Sequence, residues 1–284
     1  MHQEINMKKS YKSYLLKTVS LLAFVLATPA SLAGETLDRV MSSKKLVVAS
    51  DANWPPQSFL NDNNEMDGFD VDVAKEIAAR LGAEIEFVTP QWTVITAGNW
   101  NGRWDLSVGS MTPTKERAKV LGFPGVYYYT PSVFVVHADS AYQDKTELNG
   151  KRIGAGTATV FEQYLNKDLV IDAEGAPPFE YDVTTDDIGS YESSTVALDD
   201  LRLGDGVRID AALGPRPTFE AAIKEGYPVR ILGEPAFYEP LSAAVDLGDQ
   251  EFHDKIAEII QSMHEDGALT ELSKKWYGVD YTKQ

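Results

Sequence analysis

The stretch "WDLSVGSMTPTKER", Trp104–Arg117, decides how the chain is read. It begins as a strand and runs out into hydroxyls, a proline and a charged cluster. Ser110, Met111 and Thr112 then lie at the C-terminal end of a strand, where ligands bind in open α/β sheets. Pro113 stiffens the turn, and Thr114 is placed to cap a helix in which Arg117 sits about one turn on. From there a guanidinium can offer two parallel N–H donors to a carboxylate resting on the loop. An ion pair with Glu116 at the helix start accounts for Arg117 equally well on spacing alone.

Outward from this stretch, strands alternate with helices. "KKLVVAS", Lys44–Ser50, carries Leu46, Val47 and Val48 in one run, as a strand buried on both faces does. In "DGFDVDVAKEIAARLG", Asp67–Gly82, Phe69, Val73, Ile77 and Leu81 recur at helical spacing; Asp70 is placed to cap and Gly82 to stop the helix. "AEIEFVTP" and "PSVFVVHA" add strands, so an α/β sheet with parallel pairs is expected. After His137 the pattern restarts. A strand at Lys151–Ala155, a Gly/Thr loop and a helix from about Thr159 lead to a strand in "RIDAALG", a helix in "TFEAAIKEG" and a strand in "YPVRIL". This block reads as a second lobe. "LSAAVDLGD" is a further strand, followed by a long helix with Phe252, Ile256, Ile259, Ile260 and Met263 on its apolar face, and a short one in "LTELSKKWYG".

The first residues read as a secretory signal: Lys8, Lys9, Lys12 and Lys17, an apolar run Val19–Ala27, and small residues to a cut after Ala33, with Ala30 the alternative. The run falls short of the roughly 20 apolar residues needed to span a bilayer. The chain has no cysteine among its 284 residues, so neither a lipid anchor nor a disulfide is expected. The 251 residues beyond the signal suffice to bury a core without staples. The whole chain carries −17, and the signal holds four lysines against one glutamate, leaving −20 on the remainder. Such acidity argues against nucleic acid and anionic membrane surfaces. A free periplasmic protein is expected.

Several other motifs resolve to ordinary structure. "GAGTATVF", Gly154–Phe161, lacks the third glycine of a dinucleotide fingerprint, Thr159 standing in its place. The loop reads instead as a helix N-terminus whose free N–H groups attract an anion. "NDNNEMDG" has Met66 where a calcium loop needs an oxygen, so a polar hairpin turn is expected. His137, His253 and His264 form no metal set and no nucleophile–base arrangement. No metal and no cofactor are expected. Tyr127–Tyr129 reads as hinge packing.

The ordered set "DGFDVDVAKEIAARLG", "WDLSVGSMTPTKERAKVLGFPGVYY", "LNGKRIGAGTAT", "RIDAAL" and "LTELSKKWYG" resembles the periplasmic solute-binding proteins of polar amino acid ABC importers, bacterial solute-binding protein family 3. The resemblance implies a type II periplasmic binding protein fold: two α/β lobes with mixed sheets, joined by two hinge strands near Val133–Ala138 and Leu241–Val245. Lobe 1 would span residues 34–136 plus 236–284, and lobe 2 residues 137–235. It further implies a ligand held between the lobes, with Arg117 on its α-carboxylate. Thr157, Ala158 (through its N–H) and Thr159 would close on the same group. Trp54, in "DANWPPQSF" with Asp51 before it, would pack on the ligand side chain. Gln57 stands where the family usually has Phe, with Phe59 two residues later on the same face, which predicts a more polar wall.

One position departs from the pattern. Pro215 replaces the aspartate that would receive the ligand ammonium, and Arg216 follows. Glu192 is a candidate replacement from another loop. Alternatively the ligand is a carboxylate or dicarboxylate without an ammonium, held by Arg117 and Arg216. The expected function is capture of a polar or cationic amino acid by a monomer and delivery to an inner-membrane permease. A periplasmic dehydratase acting on cyclohexadienyl acids is the enzymatic alternative.

Overall fold

The computed structural model describes residues 35–283; the expected signal segment, 1–33, lies outside them. Helix α1 (Glu35–Ser43) leads into β1 (Lys45–Ala49). A small antiparallel sheet follows, made of β2 (Asn53–Trp54), β3 (Ser58–Leu60) and β4 (Met66–Asp67). The expected polar turn joins β3 to β4: the Asn61 Oδ1 accepts from the Asn63 and Glu65 N–H groups. Helix α2 (Phe69–Leu81), β5 (Glu84–Val88), α3 (Trp92–Thr96), β6 (Leu106–Met111), β7 (Leu121–Gly122) and β8 (Val126–His137) complete the first half. The middle holds β9 (Ile153–Gly156), α4 (Val160–Asn166), β10 (Ile188–Tyr191), α5 (Ser194–Leu201), β11 (Ala211–Pro215) and α6 (Arg216–Lys224). Strand β12 (Val229–Asp246) returns, and α7 (Gln250–Glu265) and α8 (Ala268–Tyr277) end the chain.

Strand order in the large sheet is β10-β9-β11-β8-β12-β6-β1-β5, with β7 beside β12. Strand β1 runs parallel to β5 and β6, and β9 parallel to β10 and β11. The long β8 and β12 pair antiparallel at the centre. The sheet is therefore mixed. "YPVRIL" and "LSAAVDLGD", which read as two strands, are one strand of 18 residues.

Apolar side chains collect into cores on either side of this central pair. Val40 through Tyr128 pack with Leu241 through Leu269, and Val133 through Phe237 pack among themselves. The change of side falls between Tyr128 and Val133 on β8, and between Phe237 and Leu241 on β12. Phe134 and Val136 enter one middle-segment cluster, Val133 and Val135 the other. Both faces of β8 are covered there, so "VFVV" is a continuous apolar run. The expected first hinge strand, from Val133, thus begins among residues of the second core, and the second, from Leu241, among those of the first.

The N-terminus of α2 differs from expectation. Gly68, not Asp70, precedes the helix, and Asp70 lies inside its first turn. The N–H groups of Phe69 and Asp70 donate to the carbonyls of Pro56 and Gln57. With its backbone already paired, the Asp70 side chain is released into the interior.

Candidate functional site

A cavity lined by residues of both cores opens between them. The end of β6 supplies its base. Ser110 adopts a left-handed backbone (φ 51°), and its N–H donates to the Tyr127 hydroxyl at 2.8 Å. Its own hydroxyl donates to Asp70 at 2.7 Å and contacts the Tyr128 hydroxyl. Tyr127 in turn donates to Asp70 at 2.8 Å. Asp70 is fully buried, and that burial pushes its carboxyl up to about 7 against the two hydrogen bonds.

Arg117 begins a single 3₁₀ turn, Arg117–Lys119, and its N–H is capped by the Thr114 hydroxyl at 3.2 Å. Its side chain does not pair with Glu116, which pairs instead with Lys119. The guanidinium donates from Nη1 to the Thr112 carbonyl at 2.9 Å and from Nη2 to the Ala158 carbonyl at 2.8 Å. It lies over the Trp92 ring, 5.3 Å from the centroid, and Trp92 Nε1 donates to the same Ala158 carbonyl at 3.2 Å. Burial lowers Arg117 to about 10, with the charge of Glu239 opposing; the group stays cationic at neutral pH.

Glu239, in the middle of β12, closes the floor. Its Oε2 accepts from the Thr112 hydroxyl at 2.9 Å and its Oε1 from the Ser132 hydroxyl at 2.6 Å. Burial raises it to about 7, against those hydrogen bonds and the nearby Arg117 charge. Asp51 and Glu192 supply further carboxylates to the wall. Asp51 is raised by burial first and also by the charge of Glu192, with the Asn53 N–H opposing.

The cavity brings together Asp51, Trp54, Ser110, Thr112, Arg117, Thr159 and Glu192 of the expected residues. The others stand apart. Met111 is buried in the core with Ile95, Trp100 and Leu121. Gln57 is fully buried and accepts from the Thr218 hydroxyl of α6 at 3.2 Å, so it bridges the two cores rather than forming the cavity wall. Phe59 packs edge-on against Trp276. Thr157 is exposed, with its N–H on the Tyr191 carbonyl. Arg216 pairs with Glu220 one helical turn away at 2.7 Å, outside the lining. The Ala158 N–H, expected to face an anion, donates to Glu162 Oε2 at 2.8 Å. A carboxylate of the chain itself thus occupies that donor.

Trp92, Val160, Phe161, Ser193, Ser194 and Glu239 also line the cavity and were not singled out in the sequence. Glu239 had a local signal: one acid amid apolar residues in "AFYEPLSAAV". Among the described residues, no three His, Cys, Asp or Glu side chains are grouped to hold a metal, and no helix is long and apolar enough to cross a membrane.

Residues 46–279 match the bacterial extracellular solute-binding proteins, family 3. The chain belongs to this family. It is 28% identical over 250 residues to the L-cystine-binding protein of Escherichia coli K12, covering 87% of this chain and 88% of that one. Among solved structures it is similar to an ancestral arginine-binding protein bound to arginine (TM-score 0.70, 28% identity, 83% and 99% of the two chains). It is also similar to an ancestral amino acid-binding protein that is a precursor of cyclohexadienyl dehydratase (TM-score 0.73, 28% identity, 85% and 99%). The fold is the two-lobed type II binding-protein fold.

Proposed function

We propose that this chain is the exported, monomeric substrate-binding component of an ABC importer. It takes up an α-amino acid with a polar or cationic side chain in the cavity between its lobes and hands it to an inner-membrane permease. The observation that carries this reading is Arg117. It is a buried, cationic guanidinium at the base of a cavity that both cores line, with its fork held by carbonyls rather than by a carboxylate partner. A ligand carboxylate would be its natural charge partner, bidentate and desolvated. Asp51 and Glu192 favour a cationic or ammonium-bearing far end. The relatives that bind L-cystine and arginine fit this chemistry. A ligand reaching both lobes stabilises their closed arrangement by its differential affinity.

The dehydratase alternative rests on one observation, the likeness to a precursor of such an enzyme; binding without turnover is the reading the site supports better. Arg216, engaged with Glu220 outside the cavity, offers no second anchor for a dicarboxylate. The test is a melting-temperature panel of the L-amino acids, L-cystine, dicarboxylates, prephenate and arogenate, with product analysis for the last two. A ligand at 100 times its Kd adds about 2.7 kcal/mol, a rise of roughly 5–10 °C for a chain of this size. Stabilisation by dicarboxylates alone, or turnover of prephenate or arogenate, would overturn the proposal.

A further inference from the structure

Among the acids that line the cavity, Glu239 is the buried one, at 4% exposure. Its carboxylate is held by two neutral hydroxyls, those of Thr112 and Ser132. No ion pair among the described residues includes it. An ionised carboxylate accepts about four hydrogen bonds, so acceptor capacity is left at a position that faces the cavity. The Arg117 charge reaches it without forming an ion pair and does not offset its burial, so an anion here stays costly until a closer cation arrives.

The placement of this anion is specific. Thr112 touches both charged groups: its carbonyl accepts from Arg117 Nη1, and its hydroxyl donates to Glu239 Oε2. The guanidinium and the carboxylate are therefore both held by the same threonine, one on its carbonyl and the other on its hydroxyl, and both line the cavity. An α-amino acid carries its carboxylate and its ammonium on one carbon, so a cation-and-anion pair seated on one residue suits it. Ser132 makes the second link. It is the strand partner of Pro215, whose side chain has no acceptor, and its hydroxyl points its proton at Glu239 instead. Asp51 and Glu192 suit a different task. Asp51 already accepts from the Asn53 N–H, and Glu192 is exposed.

We infer that Glu239 receives the α-ammonium of the amino acid whose α-carboxylate lies on Arg117. This assigns to β12 the role that sequence reading offered to Glu192, and leaves Asp51 and Glu192 for the distal end of the ligand side chain. The inference rests on the reading that an α-amino acid is the ligand. Burial holds Glu239 near 7 without ligand; an ammonium beside it drives it to the ionised form and expels the proton.

The experiment is titration calorimetry at pH 7 in two buffers of different ionisation enthalpy. The probes are the L-amino acid giving the largest melting shift in the panel above, and its des-amino carboxylic acid. The wild type prefers the amino acid and releases about half a proton on binding it. In Glu239→Gln the preference for the amino acid over the des-amino acid falls at least roughly 30-fold, and the proton release disappears. Glu239→Asp recovers part of the preference. Asp70 also stands near 7 and accepts from Ser110 of the lining, so Asp70→Asn is titrated beside the wild type: it keeps the release if Glu239 is the source and loses it otherwise, which holds the inference testable even where the Gln protein folds poorly. If Glu239→Gln keeps both preference and proton release while Arg117→Ala abolishes binding, Glu239 is the wrong residue and the carboxylate grip stands. If no amino acid in the panel binds, the inference falls together with the reading beneath it.

Discussion

Asp70→Asn tests the buried network behind Ser110. In the folded chain burial raises the Asp70 carboxyl from 3.8 to about 7. Between those values the folded protein holds a proton that the unfolded chain has lost, so folding is favoured at low pH. That advantage shrinks as pH rises and is gone above the folded value. Worked through at 1.36 kcal/mol per unit, the Asp70 carboxyl makes the wild type less stable at pH 8 than at pH 5 by about 2.5 kcal/mol. Asparagine keeps the shape and cannot ionise. The assay is urea unfolding of both proteins at pH 5 and pH 8, with the difference between them compared across pH. Glu239 and every other titrating group are common to both proteins and cancel; so does any constant cost of fitting an amide beside Ser110 and Tyr127. Relative to the wild type, Asp70→Asn should gain about 2.5 kcal/mol on going from pH 5 to pH 8. A gap that stays constant within about 0.5 kcal/mol would mean that Asp70 is not held protonated at neutral pH, and the reasoning from its burial would be refuted.

Arg117→Lys replaces a fixed fork by a point charge and gives up one of the two carbonyl contacts, so ligand affinity should fall at least roughly tenfold; unchanged calorimetric affinity would remove Arg117 from the site. Gly68→Ala places a Cβ 2.3 Å from the Gln57 carbonyl oxygen at a φ of +127° and should cost about 2–3 kcal/mol in chemical unfolding, a neutral result being incompatible with that approach. Trp92→Phe removes the donor to the Ala158 carbonyl, worth about 1 kcal/mol, and should lower the melting temperature by roughly 2–4 °C.

The sheet was legible because strands covered on both faces are written as apolar runs, in the parallel Leu46–Val48 and in the antiparallel Val133–Val136 alike, and because the helices between them keep a clean period. Arg117 could be found because its hydroxyl-rich turn lies next to it in the chain. The continuity of β12 was hidden: Gly233, Pro235 and Pro240 fall in the gap between the two expected strands, yet antiparallel pairing with β8 absorbs Gly233 and Pro235 in a register shift and pairs Pro240 with Tyr129. Glu239 was hidden for another reason. Its apolar neighbours hint at burial, but its partners Ser132 and Thr112 lie 107 and 127 positions away, so nothing local shows what the acid meets inside. Gln57 misled because an extended segment fixes which residues share a face, not which body that face meets; here it meets Thr218.

The two halves of the molecule are tied by a pair of neighbouring ribbons, and Glu239 is seated on one of them, between two register shifts. If Glu239 holds the ammonium as inferred, load and pivot occupy the same few residues. A change that stiffens or slackens this ribbon would then alter the grip on a cargo and the ease of swinging in one stroke. On that inference affinity and release rate are yoked, and selection acting on either would drag the other along.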